Sequence, residues 1–149
     1  MEQVKGFKNS WILTEEGKVK TSLLIENGKI ARIGDFECDG LIELPEDQII
    51  IPGFIDQHIH GAAGSDAMDG TIEDLSKIAC ALAKEGTTAF LATTMTQSPE
   101  NITNALKAVK DYIESKPATG AEVLGVHLEG PFISKDFAGA QPYEYIATP

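Results

Sequence analysis

The feature that most constrains this chain is a change of hydrophobic period near residue 52. Beyond it, apolar or β-branched runs alternate with stretches of helical spacing. Gln48–Ile55 is nearly continuous apolar sequence, broken by Pro52-Gly53, the pattern of a strand buried on both faces. Ile72, Leu75, Ile78, Ala79 and Leu82 recur at helical spacing and predict a helix over 72–84. Thr71, with Asp74 three residues on, resembles a capping box with Asp in place of Glu or Gln. Gly86 is a natural stop. Thr87–Met95 reads as a strand. Ser98-Pro99-Glu100 then supplies a cap, a first-turn proline and an acidic residue at the positive end of the helix dipole. Ile102, Leu106, Val109 and Ile113 are expected to form the buried stripe of that helix, and Pro117 and Gly120 to end it. Val123–Leu128 is the next strand. The order strand, helix, strand, helix, strand implies an α/β fold of parallel strands joined by right-handed crossovers.

Residues 1–51 read differently. Ser22–Glu26 and Lys29–Ile33 flank Asn27-Gly28, a strong hairpin signal. Glu16-Gly17 offers a second turn, between Trp11-Ile12-Leu13 and Val19. A short strand is expected at Leu41–Leu44, ended by Pro45. The chain therefore divides into a β-rich part, 1–51, and an α/β part, 52–149.

Charge and cysteine usage exclude some functions. Twelve basic against 23 acidic residues give a net charge of −11, which argues against nucleic-acid binding through clustered Lys and Arg. Cys38 and Cys80 form no CxxC pair and no disulfide framework. Cys80 is expected to be a buried free thiol. Met1–Lys5 lacks a basic region followed by a long apolar run, so no secretory leader is expected. Apolar clusters such as Ile49-Ile50-Ile51 are too short to span a membrane. A cytoplasmic protein is the expectation.

The chemistry lies in three histidines and one carboxylate. His58 and His60 are two apart on a strand, so their side chains leave the same face. They close a strand just before the small-residue segment Gly61–Gly70. In parallel α/β barrels, active sites are built at that end of the strands. Neutral imidazole is the commonest ligand of divalent transition metals. Glu129 ends the third such strand, where a carboxylate among apolar residues is costly unless something neutralises it. His127 shares its face, in a supporting or substrate-facing role. Asp56 can orient a ligand or simply close a turn. Gly61–Gly70 has neither the GK[ST] ending of a phosphate loop nor EF-hand spacing, and reads as a flexible rim loop.

Three segments together resemble the amidohydrolase superfamily: PGFIDQHIHG at 52–61, EGTTAFLATT at 85–94 and HLEGPFISKDFAGAQP at 127–142. Within it, HLEGPF followed by a GAQP-like element resembles the N-acetylglucosamine-6-phosphate deacetylases. The resemblance implies a (β/α)8 barrel beside a small β-sandwich. Residues 1–51 would be part of the sandwich, and 52–149 the first three strands and two helices of the barrel. It implies a divalent metal, Zn or Fe, as one or two ions, held by His58, His60 and Glu129. It implies substrate contacts from the backbone of Ala140 and from Gln141, at a position that is histidine in some members; His127, from its place on the strand, is the third substrate-facing candidate. The substrate implied is an amino-sugar phosphate, whose acetamide would be hydrolysed, and the full-length enzyme would be a homodimer.

The resemblance also places two further metal histidines and a catalytic aspartate on later strands, beyond Pro149. A complete barrel needs ~250 residues. A three-stranded portion would leave a sheet edge unpaired and apolar helix faces uncovered, so no activity and weak metal affinity are expected of this chain. Lys135 is the only basic residue near Glu129 and is expected to be solvated. Two rivals remain: an amidohydrolase acting on a cyclic amide, which would carry a lysine on a later strand instead of HLEGPF, and a non-catalytic α/β fragment.

Overall fold

A computed structural model of the chain describes residues 5–149. Most of the segment behind the no-leader reading therefore lies outside the described residues. The described residues fall into two compact units divided after Pro52.

The first unit is a five-stranded sheet. Strands β1 (Gly6–Thr14), β2 (Gly17–Glu26) and β3 (Lys29–Gly34) form an antiparallel meander. Asn27 and Gly28 have φ of 52° and 73°, the doubly positive pair that a two-residue hairpin of primed type requires. Strands β4 (Ile42–Glu43) and β5 (Ile49–Ile50) pair with β1 in parallel. Ile12 and Leu23 form the buried centre of this sheet.

The apolar run Gln48–Ile55 is not one strand buried on both faces. Ile49 and Ile50 pair with Trp11 and Ile12 in the first unit, whereas Phe54 opens a strand of the second. Pro52 has no N–H to offer a ladder, so the run is cut there. Phe54 and Ile55 are both exposed.

The second unit begins with β6 (Phe54–Ile59). Next come a short hairpin, β7 (Gly61–Ala62) and β8 (Ser65–Asp66), and a 3-10 turn at Ala67–Asp69. Helix α1 (Ile72–Lys84), strand β9 (Thr87–Thr93), helix α2 (Pro99–Ser115) and strand β10 (Glu122–His127) complete the alternation. The sheet order is β10-β9-β6, parallel throughout. Both helix starts follow the sequence: Thr71 and Ser98 side chains accept the N–H groups of Asp74 and Asn101. The Thr71–Asp74 pair is not a reciprocal box, because the Thr71 hydroxyl itself donates to Asp74 Oδ2 at 2.6 Å.

One core holds this unit together. Leu75, Ile78 and Ala79 of α1 pack with Val109 and Tyr112 of α2 over Phe90 and Ala92 of β9 and Val123 of β10. Each large apolar side chain so buried contributes about 1.5–3 kcal/mol. The buried stripe of α2 is rotated from the expected one. Ile102, Ala105, Ala108, Val109 and Tyr112 face inward, while Leu106 and Ile113 are 38% and 40% exposed. Ala105 and Ala108 let α2 lie close to its neighbours, and Ile102, Val109 and Tyr112 are buried beside them.

Gly61–Gly70 is not a loose rim loop. Ala63 and Gly64, at φ 53° and 79°, turn the hairpin. Asp66 accepts from Met68 N, and Asp66 N donates back to Asp69 Oδ2, capping the 3-10 turn. Ala67 beneath it is buried. Cys80 is only half-buried and Cys38 is exposed, both as free thiols. No helix among the described residues is long and apolar enough to cross a membrane.

Candidate metal centre

The carboxyl ends of the three parallel strands are brought level by their pairing. Ile59 of β6 lies beside Ala92 of β9, and Thr93 of β9 beside His127 of β10. The end of β6 is set by side chains as well as by the ladder. Its register slips between Asp56 and Ile59, and there Asp56 Oδ1 accepts His58 N (3.0 Å) while the buried Thr93 hydroxyl accepts Ile59 N (2.9 Å). Asp56 thus orients the strand through the backbone of His58, not through an imidazole ring. With the residue between them pinned, His58 and His60 turn their rings to the same side. Their Nε2 atoms are 3.4 Å apart.

Glu129 comes from the coil two residues beyond β10. Its Oε2 lies 3.0 Å from His58 Nε2 and 3.1 Å from His60 Nε2. Although buried, this oxygen receives no hydrogen bond of acceptable geometry. With both rings as Nδ1–H tautomers, three lone-pair atoms converge on one point, an arrangement that is repulsive until a proton or cation enters. The three separations define a triangle of circumradius about 1.8 Å. One ion can therefore reach all three at ~2.0–2.2 Å, the usual range for Zn–N and Zn–O bonds. The donor set and its spacing fit a single divalent cation. Among the described residues, these are the His, Cys, Asp and Glu side chains whose donor atoms gather closely enough to hold one.

His127 stands beside this group. Its ring is 4.6 Å from that of His58, and its Nδ1 is 3.1 Å from Gln57 O. A carbonyl can only accept, so Nδ1 carries the proton and Nε2 is left as an acceptor. Gln141 reaches Glu129 directly: its Nε2 donates to Glu129 Oε1 at 2.6 Å, and its Oε1 accepts Thr96 N at 2.8 Å. Ala140 is exposed in the same loop, and so is Lys135, whose carbonyl accepts the Tyr143 hydroxyl.

The geometry can be set beside known proteins. The family model described as the amidohydrolase family matches residues 49–147. The chain belongs to the amidohydrolase family. It is 42% identical over 146 residues to the N-acetylglucosamine-6-phosphate deacetylase of Bacillus subtilis (strain 168), covering 93% of this chain and 37% of that protein. It is 46% identical over 127 residues to the same-named protein of Lysinibacillus sphaericus, covering 84% and 33%. The solved N-acetylglucosamine-6-phosphate deacetylase of Thermotoga maritima superposes with a TM-score of 0.82 at 37% identity, over 97% of this chain and 37% of that one. The chain thus spans about a third of the length of the relatives it matches.

The amidohydrolase family is metal-dependent, and this chain gathers a candidate metal-binding group at the carboxyl ends of its parallel strands. Two residues of the site were not picked out by sequence reasoning. Thr93 and Thr96, both buried, hold the end of β6 and the amide of Gln141. The run Thr93-Thr94-Met95-Thr96 is hydroxyl-rich for the end of a buried strand, and that is the signal that could have found them.

Proposed function

We propose that His58, His60 and Glu129 form the strand-end part of a metal centre that hydrolyses the acetamide of N-acetylglucosamine 6-phosphate to glucosamine 6-phosphate and acetate. One observation carries the reading: two imidazole nitrogens and an orphaned carboxylate oxygen converge at the carboxyl ends of parallel strands. The activity for which the relatives are named supports the substrate. Two nitrogens and one oxygen suit Zn²⁺ or Fe²⁺, and three protein donors leave room for water or substrate. Such an ion, when bound, polarises an amide carbonyl and lowers the pKa of water from 15.7 towards ~7.

The chain's own residues divide the remaining work. Glu129 supplies the negative charge that offsets a divalent ion. His58 and His60 supply neutral donors on a strand end pinned by Asp56 and Thr93. His127 presents Nε2 as an acceptor beside His58, where a substrate hydroxyl or N–H would be oriented. Ala140, exposed in the loop that follows Glu129, would offer its backbone to the substrate. An aspartate on a later strand of the whole enzyme would protonate the departing amine. The strands of the first unit would form part of a small β-sandwich.

Titration of the purified chain with Zn²⁺ or Fe²⁺, followed by metal analysis, tests the centre. Weak binding that saturates at about one ion per chain is expected, lost in H58A/H60A and in E129A. A native chain that retains no more ion than the double variant refutes it. The substrate is tested by acetate release from N-acetylglucosamine 6-phosphate, with N-acetylgalactosamine 6-phosphate in parallel. The polypeptide assayed has the relatives' length and carries residues 1–149. A preference for the galactosamine compound would overturn the substrate reading while leaving the centre standing.

A further inference from the structure

We propose that Gln141 is a positioning residue for Glu129, tying its carboxylate to the backbone N–H of Thr96 so that the other carboxylate oxygen faces His58 and His60. The inference rests on the metal-centre reading above and extends it.

Glu129 needs such a tie. It lies beyond the last residue of β10, so no strand ladder holds it. Of its two oxygens, Oε2 faces the imidazoles and Oε1 takes the Gln141 bond at 2.6 Å. A carboxamide can do this because its two ends are opposite in character: the oxygen only accepts and the nitrogen only donates. Thr96 N–H can only donate and an ionised carboxylate can only accept. The partners therefore fix the orientation of the amide, and a flipped Gln141 would lose both bonds. The anchor is rigid, since Thr96 is buried to 1% exposure and sits in the segment leading out of the central strand β9. Gln141 is itself set by a turn in which its N–H donates to Ala138 O at 3.1 Å. With both ends of its amide engaged by protein, Gln141 is placed to hold the ligand rather than to reach out to a substrate.

The test is Co²⁺ binding to the purified chain, read by visible absorption and by competition with a chelator. Leucine matches the bulk of glutamine without its hydrogen bonds. Gln141→Leu is expected to weaken Co²⁺ binding about 10–100-fold, the usual cost of removing a group that orients a metal ligand. It should also alter the band shape at saturation. In an E129A background the same substitution should add no further loss. Gln141→Leu binding as tightly as the native chain, with the native spectrum, overturns the inference while leaving the centre intact. Equal losses in both backgrounds also overturn it. A native chain whose Co²⁺ binding is unaffected by H58A/H60A overturns the centre and this inference together. Circular dichroism of the metal-free variant reports folding. Should it fail to fold, E129Q in the otherwise native chain probes the same link by NMR. The Gln141 side-chain N–H resonance, shifted downfield by the carboxylate, should return towards its ordinary position, and an unmoved resonance overturns the proposal.

Discussion

Gly130 follows Glu129 and sits at φ +76°. A Cβ built there would collide with Thr96 Oγ1 and lie 3.0 Å from Thr96 Cβ and 3.3 Å from Thr96 Cα. Rotating Thr96 relieves this only in part, because one other rotamer puts its methyl where the hydroxyl was and in every rotamer its Cβ and Cα stay where they are. Gly130→Ala therefore combines two costs. Left-handed backbone on a non-glycine residue costs roughly 1–3 kcal/mol. Overpacking against a buried neighbour costs roughly 1–3 kcal/mol more. Together they predict a loss of about 2–6 kcal/mol in unfolding free energy, a large share of the ~5–15 kcal/mol of an ordinary domain. At a urea slope of about 2 kcal/mol/M the midpoint falls by about 1–3 M. The assay is urea unfolding followed by circular dichroism. Asparagine tolerates positive φ better than alanine but brings the same Cβ. Gly130→Asn should therefore recover only the backbone part. A midpoint for Gly130→Ala within about 0.3 M of the native one would refute the packing argument, since that is under 1 kcal/mol at this slope. Full recovery in Gly130→Asn would show that backbone strain acts alone.

Thr93→Val keeps the shape of a fully buried side chain but strands the N–H of Ile59, so a loss of about 1–3 kcal/mol is expected in the same urea assay. An unfolding free energy equal to that of the native chain would show that β6 is held by its ladder alone. Asp74 gives a pH dependence. Its carboxyl is held down to about 2, first by the Thr71 hydroxyl, then by the Ser65 hydroxyl and the Lys77 ammonium. That lies below the ~3.9 of an unfolded aspartate, so its stabilisation is present above about pH 4 and is lost as pH falls through about 2. The stability difference between the native chain and Asp74→Asn should therefore shrink from pH 5 to pH 2, and a constant difference would contradict the assignment.

The parts of this protein legible in its sequence are those decided over a few residues. Thr71 and Ser98 mark the two helix starts because a short hydroxyl side chain satisfies an N–H three residues on. Asn27-Gly28 marks a hairpin because it accepts two positive φ angles. The spacing of His58 and His60 puts both rings on one side because strand side chains alternate. Where reading failed, the outcome depended on what the segment meets. Ile49-Ile50 and Phe54-Ile55 look alike along the chain, yet they belong to different units. Leu106 and Ile113 match the helical period as well as Ala105 and Tyr112 do. Only close packing against neighbouring elements selects the second set.

The sequence by itself determined the alternation of strands and helices, the helix caps, the hairpin turn and the candidate donors His58, His60 and Glu129, because each is set by local dihedral preference, side-chain period or atom type. Only the tertiary structure decided that those donors meet. Their convergence requires parallel pairing to bring the ends of β6 and β10 level, and it requires Thr93 to catch Ile59. It also requires Gln141 to span from Thr96 to a carboxylate twelve residues away along the chain. No local preference encodes a distance of that kind, because it is the sum of every register and packing choice between the two ends.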